Sequence, residues 1–292
     1  MKIFSGSSNR PLAEKVAQNL NLKLSPLEIH KFPDGEKRVR VSDVLEDDVV
    51  LIQSTGIPVD ENYMELFLIL DSLKRSGARS ITLVAPYFGY QRQDHMFREG
   101  EDVSFKVIVQ ILESFKVDKV ITFDLHSIKI PEFFHIPVVH LTALDLFTER
   151  PLDKNMVLVS PDMGGIRRIK YLSEKTGLSF ATIEKNRDLK TGKVESSKIE
   201  GDVKGKNVAI VDDMISTGGT IRAAVELLKK NGAKRINVFA THAVLAGDAS
   251  SILENLDVEK VYVTDTIDTP QDKKFSKLEI LSVADLIAKE LK

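Results

Sequence analysis

One stretch of this chain occurs twice. Leu73-Lys-Arg-Ser-Gly-Ala-Arg-Ser-Ile-Thr-Leu-Val-Ala85 and Leu228-Lys-Lys-Asn-Gly-Ala-Lys-Arg-Ile-Asn-Val-Phe-Ala240 each read as a helix end, a glycine that stops it and the strand that follows. Upstream, the apolar run Val49 to Ile52 corresponds to Val208 to Val211. Downstream, Val117-Asp-Lys-Val-Ile-Thr-Phe-Asp124 corresponds to Val258-Glu-Lys-Val-Tyr-Val-Thr-Asp265. Three matches in the same order mark a duplication, and strands alternate with helices in both copies. The expected fold is α/β: two related domains, each with a mainly parallel sheet flanked by helices. Two copies alone do not make a solenoid, and 292 residues suffice for two full cores. The boundary is expected near residues 142–145, which gives domains over 1–142 and 143–281. An amphipathic tail helix over 282–292 follows, with Ser282 as its N-cap.

The copies differ where open α/β sheets bind ligands, at the carboxyl ends of strands. In the second copy the strand Val208 to Val211 runs into Asp212 and Asp213, then Ser216, Thr217, Gly218, Gly219 and Thr220, and helical spacing resumes from Ile221 to Lys230. Backbone N–H groups at such a helix start point at a bound anion, the glycines permit close approach and the hydroxyls add donors. Two adjacent carboxylates repel unless cations or hydroxyl donors meet them. A ribose 5-phosphate supplies both parts, vicinal hydroxyls for the acids and a phosphate for the turn. A plain strand-to-helix turn with an Asp N-cap is the bland alternative. The common nucleotide loops are absent: no Gly-x-x-x-x-Gly-Lys-Ser/Thr occurs, and no well-placed Gly-x-Gly-x-x-Gly. The corresponding turn of the first copy begins Gln53-Ser-Thr-Gly56 and lacks the acid pair, which leaves that half for a second substrate.

Composition narrows the classes further. Hydrophobic residues make up 42% and charged residues 29%, as in a globular chain, and the net charge of −2 gives no pull toward nucleic acid or acidic membranes. No apolar run approaches the roughly 20 residues of a membrane-spanning helix, and Met1-Lys-Ile-Phe-Ser-Gly6 lacks the apolar stretch of a signal peptide. A cytoplasmic protein is expected. With no cysteine, disulfides, thiolate catalysis and cysteine zinc sites are excluded.

Four further segments hold the polar groups of a nucleotide and metal site. Lys31-Phe-Pro-Asp-Gly-Glu-Lys37 sets Phe32 beside Asp34 and Glu36 on a Pro/Gly turn; alone it is a surface β-turn. Pro86-Tyr-Phe-Gly-Tyr-Gln-Arg-Gln-Asp94 presents Arg92, Gln93 and Asp94 after a strand of the first half, where a solvated charged loop is the alternative. His126 closes Phe123-Asp-Leu-His126, and Asp162 follows a strand over Met156 to Val159 in Ser160-Pro-Asp-Met-Gly-Gly-Ile-Arg167. Magnesium prefers oxygen and keeps several waters, so one His and one Asp serve it only when substrate phosphates complete its shell. Glu184-Lys-Asn-Arg187 puts Lys185 and Arg187 at the start of a polar segment, 186–198, that reads as a loop or an exposed hairpin.

Taken in order, these motifs resemble those of the ribose-phosphate diphosphokinase family, also called phosphoribosyl-diphosphate synthetases, along essentially the whole chain. The Asp212-to-Thr220 segment is also similar to the phosphoribosyl-diphosphate loop of type I phosphoribosyltransferases. The resemblance implies two type I phosphoribosyltransferase-like domains, with the tail helix returning to the first. It implies that Phe32, Asp34 and Glu36 approach the adenine of ATP from a neighbouring subunit of a homo-oligomer, and that Arg92 and Gln93, with Asp94 beside them, bind ATP. It assigns His126 and Asp162 to Mg2+, Lys185 and Arg187 to the transition state, and Asp212, Asp213 and the Ser216 to Thr220 turn to ribose 5-phosphate. The implied reaction passes the diphosphoryl group of Mg·ATP to the C1 hydroxyl of ribose 5-phosphate, without a protein nucleophile.

Two departures stand out. Where many relatives carry a lysine pair and then Ser-Arg, this chain has His95-Met96 and Glu99-Gly100, so activity without an allosteric phosphate is expected. Ser216 occupies a position that is often Asp. A phosphoribosyltransferase shares the Asp212-to-Thr220 loop but has no use for the Arg92-Gln93 and Phe32 segments. A regulatory homologue would have eroded catalytic positions.

Overall fold

The computed structural model describes the backbone of residues 1–42, 44–150, 152–153, 155–187 and 194–292, and the side chains of these residues apart from 185–187 and 194–197. The chain divides into two compact units. The first comprises Met1–Thr142, Thr266–Asp268 and Ser282–Lys292; the second comprises Ala143–Asp265 and Thr269–Leu281.

In the first unit, β1 (Lys2–Ser5) leads into α1 (Arg10–Asn19), followed by an antiparallel hairpin of β2 (Glu28–Lys31) and β3 (Lys37–Arg40). Then come β4 (Asp48–Ile52), α2 (Val59–Arg75), β5 (Ser80–Val84), α3 (Ser104–Ser114), β6 (Lys119–Phe123) and β7 (Val138–Leu141). The five-stranded sheet is parallel throughout, in the order β1-β4-β5-β6-β7.

The second unit repeats this plan. It holds α4 (Leu144–Thr148), β8 (Val157–Ser160), α5 (Ile166–Thr176), β9 (Phe180–Arg187), β10 (Val194–Glu200), β11 (Val208–Ile215), α6 (Gly219–Lys230), β12 (Ile236–Ala243), α7 (Ala249–Asn255), β13 (Val261–Thr264) and β14 (Leu278–Leu281). Its sheet runs β10-β9-β8-β11-β12-β13-β14, parallel except at β10. The α/β class with two duplicated, mainly parallel sheets is borne out. The duplication holds to the residue: Val49 pairs with Ile81 as Val208 pairs with Ile236, and Leu83 pairs with Val120 as Val238 pairs with Val261. The polar segment after Glu184 forms the β9–β10 hairpin, whose tip lies outside the described residues.

Strand alternation builds a core on each face of the second sheet. Val208 and Ile210 pack with Ile221, Val225 and Leu228 of α6 and Leu253 of α7, while Ala209 and Val211 pack with Phe147, Ile169 and Leu172 on the other side. Full burial of each large aliphatic side chain contributes about 1.5–3 kcal/mol. In the first unit Val49, Leu51, Ile81 and Leu83 meet Leu66, Ile69, Leu70 and Leu73 of α2 and Val109 of α3. The C-terminal helix α8 (Ala284–Glu290) packs on α1, with Asn19 donating to Asp285 at 2.6 Å and Lys119 pairing with Glu290 at 2.7 Å. It is shorter than the expected span. Val283 holds the N-cap position, and the Ser282 hydroxyl instead accepts the Ala284 N–H in a local turn.

Candidate active site

The Asp212-to-Thr220 segment lies in the second unit. Strand β11 runs on to Ile215, past the expected end at Val211, because Asp212 pairs with Ala240 and Met214 with His242 along β12. Asp212 and Asp213 therefore stand within a buried strand, at 7% and 3% exposure. Ser216 and Thr217 turn the chain, and Gly218 takes φ +79°, a left-handed conformation that any Cβ would strain. It is the N-cap of α6, so the helix starts at Gly219, two residues earlier than its apolar spacing predicts. Thr217 and Thr220 are exposed and Ser216 and Gly219 half-buried, so hydroxyl donors and free helix N–H groups face an open mouth.

The two acids are not left to repel each other. Arg168 of α5, which the motif reading missed, places Nη2 3.0 Å from the Asp213 carboxylate and 3.7 Å from that of Asp212. The Asp213 N–H also donates to Asp212 Oδ1 at 2.9 Å. Burial first, and then the neighbouring Asp213, pushes the Asp212 carboxyl well above the usual carboxylate range, with Arg168 acting in the opposite direction. A cation on the helix that starts four residues after Asp162 was the available signal. Asp162 caps the short 3-10 turn Met163–Gly165, its Oδ1 accepting the Gly165 N–H at 3.2 Å, which leaves Oδ2 open to a cation.

The remaining described candidates lie in the first unit, in two groups. Arg92 and Gln93 are exposed and Asp94 half-buried after β5, and His126 is exposed after β6. Gln91 joins these two strand ends, its Oε1 accepting the His126 N–H at 3.0 Å. On the other side of His126, His140 Nε2 accepts the Leu125 N–H at 2.9 Å; burial lowers the His140 pKa, consistent with this acceptor role. Phe32, Asp34 and Glu36 form the second group, at the tip of the β2–β3 hairpin. There Phe32 donates its N–H to Glu36 O at 2.8 Å, Gly35 takes φ +96°, and Asp34 Oδ1 accepts the Glu36 N–H at 3.1 Å. Phe32 meets His30 edge to face at 4.7 Å and carries the Arg38 guanidinium 5.8 Å from its ring centroid. Lys185 and Arg187 lie on β9 of the second unit, with side chains outside the described residues.

A magnesium ion fits this donor set only as a partner of bound phosphates. Among the described residues no three His, Asp, Glu or Cys side chains gather as a metal cluster, whereas the open Asp162 oxygen, beside the turn for an anion, suits an ion that arrives with its own oxygen ligands.

Comparison with known proteins gives the same reading over the full length. Residues 1–115 match the N-terminal domain of ribose phosphate pyrophosphokinase and residues 145–279 the phosphoribosyl transferase domain. The ribose-phosphate pyrophosphokinases of Caldanaerobacter subterraneus subsp. tengcongensis and Aquifex aeolicus are each 40% identical to this chain, covering 100% of it and 93% and 95% of their own lengths. The crystal structure of phosphoribosylpyrophosphate synthetase from Mycobacterium smegmatis superimposes with a TM-score of 0.93 at 35% identity, covering 99% of this chain and 97% of that one. A duplicated fold, a buried acid pair before a glycine turn and full-length similarity converge: the chain belongs to the ribose-phosphate pyrophosphokinase family.

Proposed function

We propose that this protein transfers the diphosphoryl group of Mg·ATP to the C1 hydroxyl of ribose 5-phosphate, giving phosphoribosyl diphosphate and AMP for nucleotide biosynthesis. The observation that carries the reading is the Asp212-Asp213 pair, buried against Arg168 and opening onto the Thr217–Thr220 helix start. The carboxylates accept the ribose hydroxyls, while the turn's N–H groups and hydroxyls take the 5-phosphate. Arg92 and Gln93 bind ATP, with Asp94 beside them, and Phe32, Asp34 and Glu36 complete the adenine site of a neighbouring protomer in a homodimer or larger assembly. Lys185 and Arg187 stabilise charge on the transferring group from β9. His126 and Asp162 are the candidate ligands of Mg2+, which would supply neutralisation of phosphate charge when bound with the substrate. The protein's own part is positioning and charge stabilisation, which suffices for in-line transfer.

Among the described residues no helix is long and apolar enough to cross a membrane, and the reading places the enzyme in the cytoplasm with no nucleic-acid partner. Incubation with ATP, Mg2+ and ribose 5-phosphate, followed by separation of the nucleotides, tests the function. AMP that forms only when the sugar phosphate is present supports it; ADP as the nucleotide product contradicts it.

A further inference from the structure

The acid cluster of the second unit has a counterpart in the first, where the charges are exchanged and a side chain of the protein takes up the donors. Strand register carries Ser7 onto Asp162, Gln53 onto Asp212 and Ser54 onto Asp213. The Leu73/Leu228 repeat carries Glu65 onto Thr220. The charge pattern is thereby exchanged: three acids and a threonine in one unit become Ser, Gln, Ser and a glutamate in the other. Helix α2 starts more than a turn earlier than α6, so the chain runs on as helix where the second unit has its Gly218-Gly219 turn. Glu65 is fully buried. Its carboxylate accepts the Ser7 N–H at 2.7 Å, the Ser7 hydroxyl at 2.7 Å, Gln53 Nε2 at 3.1 Å and the Lys37 ammonium at 2.7 Å. A side chain thus takes up donors of the kind that a bound anion would claim.

Lys37 is the first residue of β3, opposite Lys31 across the hairpin, and Lys31 Nζ reaches Glu61 at 2.8 Å. Glu61 and Glu65 are one helical turn apart, so both legs are pinned to the same face of α2. The two pins differ in kind. Lys31 and Glu61 are about half exposed, where an ion pair holds weakly, whereas the Lys37 and Glu65 side chains are only 11% and 1% exposed. A groove of ≈ 400 Å³ lined by Phe32, Lys37, Arg38, Asp71 and Arg75 runs between the outer part of the hairpin and α2, while Ile29, Val39 and Val41 pack on the core that α2 helps to form.

We propose that Lys37 is a positioning residue, whose buried ion pair with Glu65 fixes the angle of the hairpin and so delivers Phe32 to the nucleotide. The proposal rests on the reading of Phe32 as an ATP contact given above. The chain has no tryptophan, so Phe32→Trp places a single fluorescent reporter at the tip. In that background Lys37→Met is expected to lower the tryptophan anisotropy and raise its quenching by acrylamide, while Lys37→Arg, which keeps a cation for Glu65, leaves both near the parent values. With Phe32 intact, Lys37→Met is expected to raise the ATP KM about tenfold, as for one lost charged hydrogen bond, with the ribose 5-phosphate KM unchanged. Should the lone Glu65 charge prevent folding, Lys37→Met/Glu65→Gln removes both charges and keeps an acceptor for Ser7. A tip as rigid as the parent's, or an equal rise in both KM values, overturns the proposal. A loosened tip with an unchanged ATP KM supports the tether and overturns the reading of Phe32 as a nucleotide contact.

Discussion

Arg168 and Asp213 form the ion pair on which the acid site is balanced, with 3.0 Å between guanidinium and carboxylate. The guanidinium is 3.7 Å from Asp212 as well, so removing it leaves two buried, adjacent carboxylates facing each other. Arg168→Leu is expected to weaken ribose 5-phosphate binding by about 1.5–3 kcal/mol, the value of a hydrogen bond to a charged group, and Arg168→Lys by less. Titration calorimetry with ribose 5-phosphate measures this. Unchanged affinity in Arg168→Leu would separate the arginine from the sugar site.

The acid pair also sets a pH dependence. Burial and the Asp213 charge raise the Asp212 pKa in the native protein, so the folded state keeps a proton that the unfolded chain has released above about pH 4. Stability attributable to this group is therefore lost as pH rises from that value through the raised native pKa. Asp212→Asn is expected to raise the thermal midpoint at neutral pH, with the gain shrinking toward pH 4. The same substitution, or Asp213→Asn, weakens ribose 5-phosphate binding roughly tenfold to hundredfold and leaves ATP binding nearly intact. Equal loss of both affinities contradicts the assignment of these acids to the sugar.

The fold class was legible because the duplication shows strands alternating with helices twice over, and buried parallel strands write themselves as apolar runs such as Val208–Val211. The limits of elements were less so. β11 continues through two acids since its neighbour β12 supplies backbone partners, a tertiary effect that local apolarity does not record. The candidate ligand-facing residues stand in recognisable segments, whereas their supports do not. Arg168 sits in an ordinary helix, and Gln91, His140, Lys37 and Glu65 act through side-chain hydrogen bonds to residues distant in sequence. Such pairings follow from the folded geometry rather than from spacing.

Lys185 and Arg187 are expected to govern turnover more than binding. Lys185→Ala should lower kcat by a factor of roughly a hundred or more, as loss of a transition-state donor does, with smaller changes in either KM. Because Phe32 is read as serving a neighbouring protomer, Phe32→Ala and Lys185→Ala chains should complement each other when mixed under conditions of subunit exchange. Recovery of part of the activity supports the shared site; exchanged mixtures that stay inactive contradict it.

The segment after Asp94 bears on regulation. His95 Nδ1 lies 2.6 Å from Asp94 Oδ1, and Glu101 accepts the N–H groups of Phe97 and Arg98 at 3.0 and 2.9 Å, so acids organise this loop. Glu99, exposed beside them, repels an anion. Full activity is expected without added inorganic phosphate, and ADP inhibition should be competitive with ATP alone. An absolute phosphate requirement at constant ionic strength and free Mg2+ contradicts this expectation.

The diphosphoryl group is expected to move as a unit onto the sugar. ATP labelled with 32P at the γ-phosphate follows it directly, with chromatography of the products after a single incubation with Mg2+ and ribose 5-phosphate. All transferred label should appear in the sugar diphosphate, in one-to-one amount with unlabelled AMP. Label in a sugar monophosphoryl product with ADP formed beside it, or label released as free phosphate, contradicts the account.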